Sequence, residues 1–402
     1  MVEVETIDTI EATTQNDKQE EAHPGRPRRL TAEGFAAKVA SDPYIAGLRS
    51  GKADLSWFNA EPGKGMWGSW GVRALPSRRG LTLMDIERAA DTEPQLQAPS
   101  VTAPRGAGYA EDIGETPWEI NGKWEVWADN LVTLYEEACS RQWNATADID
   151  WSRLEPLPHD LERALCQYNT FLTMGEYLAT DVLAPWLPRF NTYFHEIKLF
   201  IASQAMDEAR HTEVFRKRIY ANGGGMGMAI KLGGALARAG GGMANAASNP
   251  LFSSWRDVSF AIHVVFEGAI LSMFRFGEFL GKTDVDKQIF RMVMQDEARH
   301  VSYGTMHLKF LLDNAPDPES ERERLHALAD MAEVFFLDLF FLQPGTIESC
   351  AILAGEGLDG FARGLEIYKG VYAKMRAEYL SRIKRAGLDR TERCMFPSDL
   401  PF

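Results

Sequence analysis

The pentapeptide Asp-Glu-Ala-Arg-His occurs twice in this chain, at 207–211 and again at 296–300. Each copy lies in a long stretch whose apolar residues recur with helical period, "NTYFHEIKLFIASQAMDEARHTEVFRKRIYA" and "DKQIFRMVMQDEARHVSYGTMHLKFLLD". On a helix, residues three apart share a face, so Glu208 can point with His211 and Glu297 with His300. A further glutamate precedes each copy. Glu176 lies 32 residues before Glu208, and Glu267 lies 30 residues before Glu297. About 30 residues is one helix out, a turn and one helix back, which returns the chain to the same depth of a bundle. Four helices can therefore bring four carboxylates and two imidazoles to one place.

Such a cluster needs a physical reason. Buried carboxylates without partners cost several kcal/mol each, on the order of the usual penalty for a buried ion. Two divalent cations remove that objection. One Glu from each of two helices, plus Glu-x-x-His from each of the other two, is the ligand pattern of carboxylate-bridged two-metal bundles. Carboxylate and imidazole suit iron, and manganese is admissible by the same chemistry. A single Glu-x-x-His on a charged helix is ordinarily a solvated face. Two copies at matched depth on apolar stripes are different. Leu172, Ala179 and Leu183 flank Glu176; Val264, Ile270, Leu271 and Phe274 flank Glu267; Val293, Met294 and Val301 flank the second pair. The expected ligands are Glu176, Glu208, His211, Glu267, Glu297 and His300. Asp207 and Asp296 are placed to receive the second ring N–H of a ligating histidine, and Arg210 and Arg299 to hold those aspartates.

The rest of the chain narrows the class. Strand signals are sparse, and the expected fold is all-α: a ferritin-like four-helix bundle with additional N- and C-terminal helices. Residues 1–30 are polar and are expected to be disordered. Residues 31–123 are rich in Gly, Pro and Trp and read as an irregular N-terminal region with a few short helices. The bundle is expected over 124–312, and a helical extension over 313–402, with helices near 320–342 and 357–386. The Gly- and Ala-rich stretch 223–250 reads as a flexible connection or a weak helix. A net charge of −14 argues against nucleic acid as a partner. No run of 18 apolar residues is present, so no membrane span is expected. Four scattered cysteines without Cys-x-x-Cys fit a reducing cytoplasm, and no secretory signal is visible.

"GEYLATD", "DEARHTEVF" and "DEARHVSYG" resemble the hydroxylase α subunit of bacterial multicomponent monooxygenases, the methane, toluene and phenol hydroxylases. The likeness spans about residues 125–312. It implies that Glu176, Glu208 and His211 ligate one iron of a di-iron centre, and Glu267, Glu297 and His300 the other, with carboxylates bridging. Two departures stand out. Where that family carries a threonine four residues after its third-helix glutamate, this chain has Leu271, followed by Ser272. The chain also falls short of the usual α-subunit length.

The function expected on this basis is an O2-activating monooxygenase that oxidises a small, largely apolar organic substrate. "GGGMGMA" at 223–229 follows a helix and makes no dinucleotide fingerprint, so electrons are expected from a separate reductase or ferredoxin. The ligand set also admits an N-oxygenase, a desaturase, a radical-generating subunit or a non-enzymatic ferritin-like iron-binding protein, and a homodimer is compatible with any of them. Phe215 stands where the radical generators keep a tyrosine, which leaves Tyr303 as the remaining radical candidate. Val293 stands where the N-oxygenases add a histidine. The substrate pocket is expected on the side of Leu172, Ala179, Phe215 and Leu271, each three or four positions from an expected ligand. His263, one turn before Glu267, can sit beside the site, whereas His195 falls off the ligand face.

Overall fold

A computed structural model describes residues 31–52, 55–59, 71–90, 104–107, 121–229 and 253–402. The expected disorder of residues 1–30, and residues 230–252 of the Gly- and Ala-rich stretch, lie outside the described residues. The chain separates into two units, Met1–Ala60 and Glu61–Phe402. The first contains three short helices, α1 (Ala32–Ala40), α2 (Pro43–Arg49) and α3 (Ser56–Asn59).

Among the described residues of the second unit the regular elements are helices, apart from one isolated bridge between Ser77 and Gly80. Three modest helices lead in: α4 (Leu83–Ala90), α5 (Lys123–Val126) and α6 (Leu131–Ser140). Four long ones follow and make the ferritin-like bundle. They are α7 (His159–Leu183), α8 (His195–Ala221), α9 (Trp255–Leu280) and α10 (Asp284–Asn314). A 3-10 turn at Ala184–Arg189, with Pro185 and Pro188, turns the chain between α7 and α8. Thr283 and Asp286 form a reciprocal capping box that starts α10 immediately after α9. Three more helices cover the bundle: α11 (Pro318–Phe341), α12 (Pro344–Gly355) and α13 (Phe361–Arg385). Sequence periodicity missed α12, a short apolar helix with little facial contrast.

Two features of α9 position the site. It is long and apolar enough to cross a membrane by length and composition, yet most of it is buried inside the bundle, as a core helix should be. Its middle, Phe260–Phe266, is wound as a π-helix, a rare geometry that favours functional sites. This wider turn lies close against α10. A Cβ added to Gly304 would come within 2.4 Å of His263 Cβ, so only glycine permits the approach. The core is strongly aromatic where α11 meets the bundle: Phe340 packs edge-on to Phe171, and Phe335 and Phe336 pack on Phe266.

Candidate metal centre

The six expected ligands meet at one depth of the bundle. Glu176 comes from α7, Glu208 and His211 from α8, Glu267 from α9, and Glu297 and His300 from α10. All six are buried. Their side-chain atoms fall into two overlapping groups, each within 4.8 Å: Glu176, Glu208, His211 and Glu297, then Glu208, Glu267 and His300.

The carboxylates divide by what they face. Glu297 turns Oε1 to His211 Nδ1 at 3.1 Å and Oε2 to His300 Nδ1 at 3.5 Å. Glu208 does the reverse, with Oε2 at 3.6 Å from His211 Nδ1 and Oε1 at 3.3 Å from His300 Nδ1. Each therefore offers one oxygen to each half of the site. Of the two imidazoles, Glu176 faces His211, at 3.5 Å, and Glu267 faces His300, at 3.8 Å. Two carboxylates thus span both imidazoles and two face one each, so that a pair of metal ions held here would find one imidazole per half.

The charges do not balance within the protein. Burial pushes the Glu176 and Glu267 carboxyls well above the usual range. Burial acts the same way on Glu297, but the two imidazoles it faces, His211 and His300, more than offset it and hold it at about 2. Burial would make both imidazoles neutral, yet the facing carboxylates drive them well above their ordinary value. Protons thus do the work that cations would do. Despite their proximity to carboxylates, Nδ1 of His211, Nδ1 of His300 and Oε2 of Glu267 have no hydrogen-bond partner, although all are buried. Unpaired buried acceptors aimed at a common centre are the donor set that a pair of metal ions would satisfy.

Behind the imidazoles the two pentapeptides interlock. His211 Nε2 lies 3.2 Å from Asp296 Oδ2, and His300 Nε2 lies 3.3 Å from Asp207 Oδ2. Each aspartate therefore serves the histidine of the other copy. Arg299 donates to Asp207 at 2.8 Å and to Asp296 at 2.7 Å; Arg210 donates to Asp296 at 2.8 Å and also to Asp207. The exchange across α8 and α10 explains why the chain carries the motif twice, since one copy alone completes neither histidine.

Several residues of the surroundings were not expected. Trp143 Nε1 donates to Asp296 at 2.7 Å, and the Arg210 guanidinium lies over the Trp143 ring. Gln204 donates from Nε2 to Glu267 at 2.7 Å and to Glu208 at 3.3 Å. It stands four residues before Glu208, so helical spacing could have found it. His263 is beside the site as expected, with Nε2 at 2.9 Å from Gln204 Oε1. His195 pairs instead with Glu87, far from the cluster in the contacts it makes.

A cavity of about 60 Å³ adjoins the carboxylates, lined by Glu176, Glu208, Glu267 and Glu297 on one side and by apolar side chains on the others. Leu172 and Ala179 are among them, but Phe215 and Leu271 are not. Phe215 is stacked on Phe274 and packed against Phe290, in the layer next along the bundle. At this turn of α9 the lining residue is Ile270, one residue before Leu271, because the cavity lies on the side where α11 supplies Leu339 and Phe340.

Fold and site together define a helical bundle enclosing a carboxylate- and histidine-lined centre. No protein-family model matches the chain, and no curated protein is similar to it. Among solved structures, it is similar to an R2-like ligand-binding oxidase with an aerobically reconstituted metal cofactor, at 20% identity and a TM-score of 0.47, over 66% of this chain and 95% of that one. A variant of such an oxidase with a Mn/Fe cofactor gives 20% and 0.49, and one with an Fe/Fe cofactor 21% and 0.48, each with the same coverage.

Proposed function

We propose that the six residues hold two metal ions, iron in both positions or manganese with iron, and that the protein is an oxidoreductase that activates dioxygen. The observation that carries this reading is the pair of overlapping ligand groups with unpaired imidazole nitrogens at their centre. The similar solved structures carry Mn/Fe or Fe/Fe cofactors, and carboxylate with imidazole suits the same redox-active metals. When bound, such ions supply the electrons that reduce dioxygen while an organic substrate is oxidised.

The chain's own residues shape that chemistry. Glu208 and Glu297 hold the two halves of the site together. The Asp207–Asp296–Arg210–Arg299 square fixes both imidazoles. Leu172, Ala179, Ile270 and Phe274 exclude water from the open side and admit only a small apolar molecule without side-chain movement. We read the reaction as a monooxygenation fed by a separate reductase or ferredoxin, in keeping with the motifs shared with the hydroxylase α subunits. A radical generator fits less well. Tyr303 donates its hydroxyl proton to the backbone carbonyl of Val126 and accepts from Trp255; no carboxylate takes that proton among the described residues.

The test is dioxygen uptake by the Fe(II)-loaded protein with a reductant in excess. An oxygenase takes up oxygen repeatedly and faster when a small apolar compound is present. Uptake that stops after the bound iron is oxidised, with further iron accumulating beyond two ions per chain, would mark a storage protein instead.

A further inference from the structure

A line of buried hydrogen bonds leads away from the centre, beginning at Gln204. Gln204 Oε1 lies 2.9 Å from His263 Nε2, and His263 Nδ1 lies 3.1 Å from Ser259 Oγ. The same Ser259 Oγ lies 2.7 Å from His307 Nδ1, and His307 Nε2 lies 2.9 Å from the carbonyl oxygen of Glu125. Gln204, His263, Ser259 and His307 are all buried.

Counting hydrogens along this line gives an unequal result. Gln204 must turn its N–H group to the carboxylates of Glu267 and Glu208, because the flipped amide would set its oxygen against both. Its Oε1 then faces His263 Nε2, which must carry a hydrogen. The Glu125 carbonyl can only accept, so His307 Nε2 must carry one too. The two Nδ1 atoms that remain both face Ser259, whose hydroxyl has a single hydrogen to give. One Nδ1 accepts it; the other must bring its own. The two rings therefore need three hydrogens on four nitrogens, whereas two neutral imidazoles have two.

We propose that Gln204, His263, Ser259 and His307 form a positioning line that keeps one imidazolium, shared between His263 and His307 across Ser259, one amide behind the carboxylate centre. This inference rests on the metal reading above, in which Glu267 and Glu208 are ionised ligands. Burial works against it, pushing His263 well down and His307 to about 4. The hydrogen-bond inventory prevails, because two neutral rings would leave a pair of acceptor atoms in contact in a dry interior. The surrounding charges divide: Glu297 favours the cation on His263 and Glu321 on His307, whereas His300 opposes it on His263 and Arg256 on His307. Held there, the charge locks the Gln204 amide in the orientation that grips both carboxylates. It also favours the reduced state of the centre, which carries less positive charge.

The experiment uses the full-length protein, labelled with 15N at its eight histidines and loaded with Zn(II), which is diamagnetic and redox-inert. At about pH 8, well above the ordinary imidazole pKa of about 6.5, nuclear magnetic resonance is expected to show one ring of the pair with both nitrogens protonated. Loss of that signal in His263→Gln or His307→Gln assigns it. In Ser259→Ala the signal is lost while two zinc ions remain bound, and Ser259→Thr restores it. Two neutral rings in the zinc-loaded wild-type protein, or an imidazolium that survives Ser259→Ala, overturn the inference and leave the metal reading standing. Failure to bind zinc overturns the metal reading, and the inference with it.

Discussion

The two sides of the centre are built on opposite principles. Behind the imidazoles, Asp207, Asp296, Arg210 and Arg299 form a closed square in which the two negative and two positive charges cancel. In front lies an apolar cavity whose only polar walls, among the described residues, are the four glutamates themselves. Because the square is neutral as a set, it lends no charge to those glutamates. The demand for cations is therefore created on the polar side by what that side withholds. The apolar side then decides what can approach.

Removing a ligand shared by both halves should break this arrangement most severely. Glu208→Ala takes an oxygen from each half, and His211→Ala takes the nitrogen of one. Iron content should fall sharply in both, to one ion per chain or fewer, as read by metal analysis after anaerobic loading. The polar square comes next. Asp207→Ala and Asp296→Ala each free one imidazole and strand two guanidinium contacts, so metal affinity should drop by about 10–100-fold. Because the pairing is crossed, Asp207→Ala should perturb the His300 half and Asp296→Ala the His211 half. Site-resolved spectroscopy that found each aspartate affecting the histidine of its own pentapeptide would reverse the pairing described here.

Gly304→Ala addresses the scaffold between the two sides. Its new methyl would collide with His263 on the π-helical turn, and overpacking of this kind costs about 1–3 kcal/mol. A denaturant titration with an unchanged midpoint would show that the turn yields easily. On the apolar side, Ala179→Phe should fill the cavity and stop substrate-stimulated oxygen uptake without loss of iron. Leu271→Ala, outside the cavity, should have the smallest effect of the series on the same assay. Equal effects at the two positions would move the substrate to another face.

The contrast between the sides also governs what could be read in the sequence. That these six side chains would meet was legible, because three-residue spacing and a return of about 30 residues are local properties of helices. The aspartates and arginines were legible as neighbours of the histidines, but not their exchange between copies, which depends on how α8 faces α10. The cavity was legible only in part. Leu172 and Ala179 follow from the phase of α7 alone. Phe215 and Leu271 share a ligand face by the same rule, yet the open space lies on the Ile270 side. It is closed there by Leu339 and Phe340 from α11, whose docking no local pattern specifies. The line through Gln204, His263, Ser259 and His307 repeats at helical intervals from the ligands. Its meaning required the π-helical turn and Gly304 to bring α9 and α10 together.

The central claim is that two overlapping ligand groups make one two-metal site. It is tested most directly by anaerobic Fe(II) titration of the wild-type chain beside Glu208→Ala and His211→Ala. Saturation at two irons per chain is expected in the wild type, with spectroscopic signs of magnetic coupling through bridging carboxylates, and loss of both features in Glu208→Ala. Saturation at two irons in all three proteins would contradict it, as would wild-type protein that binds no iron.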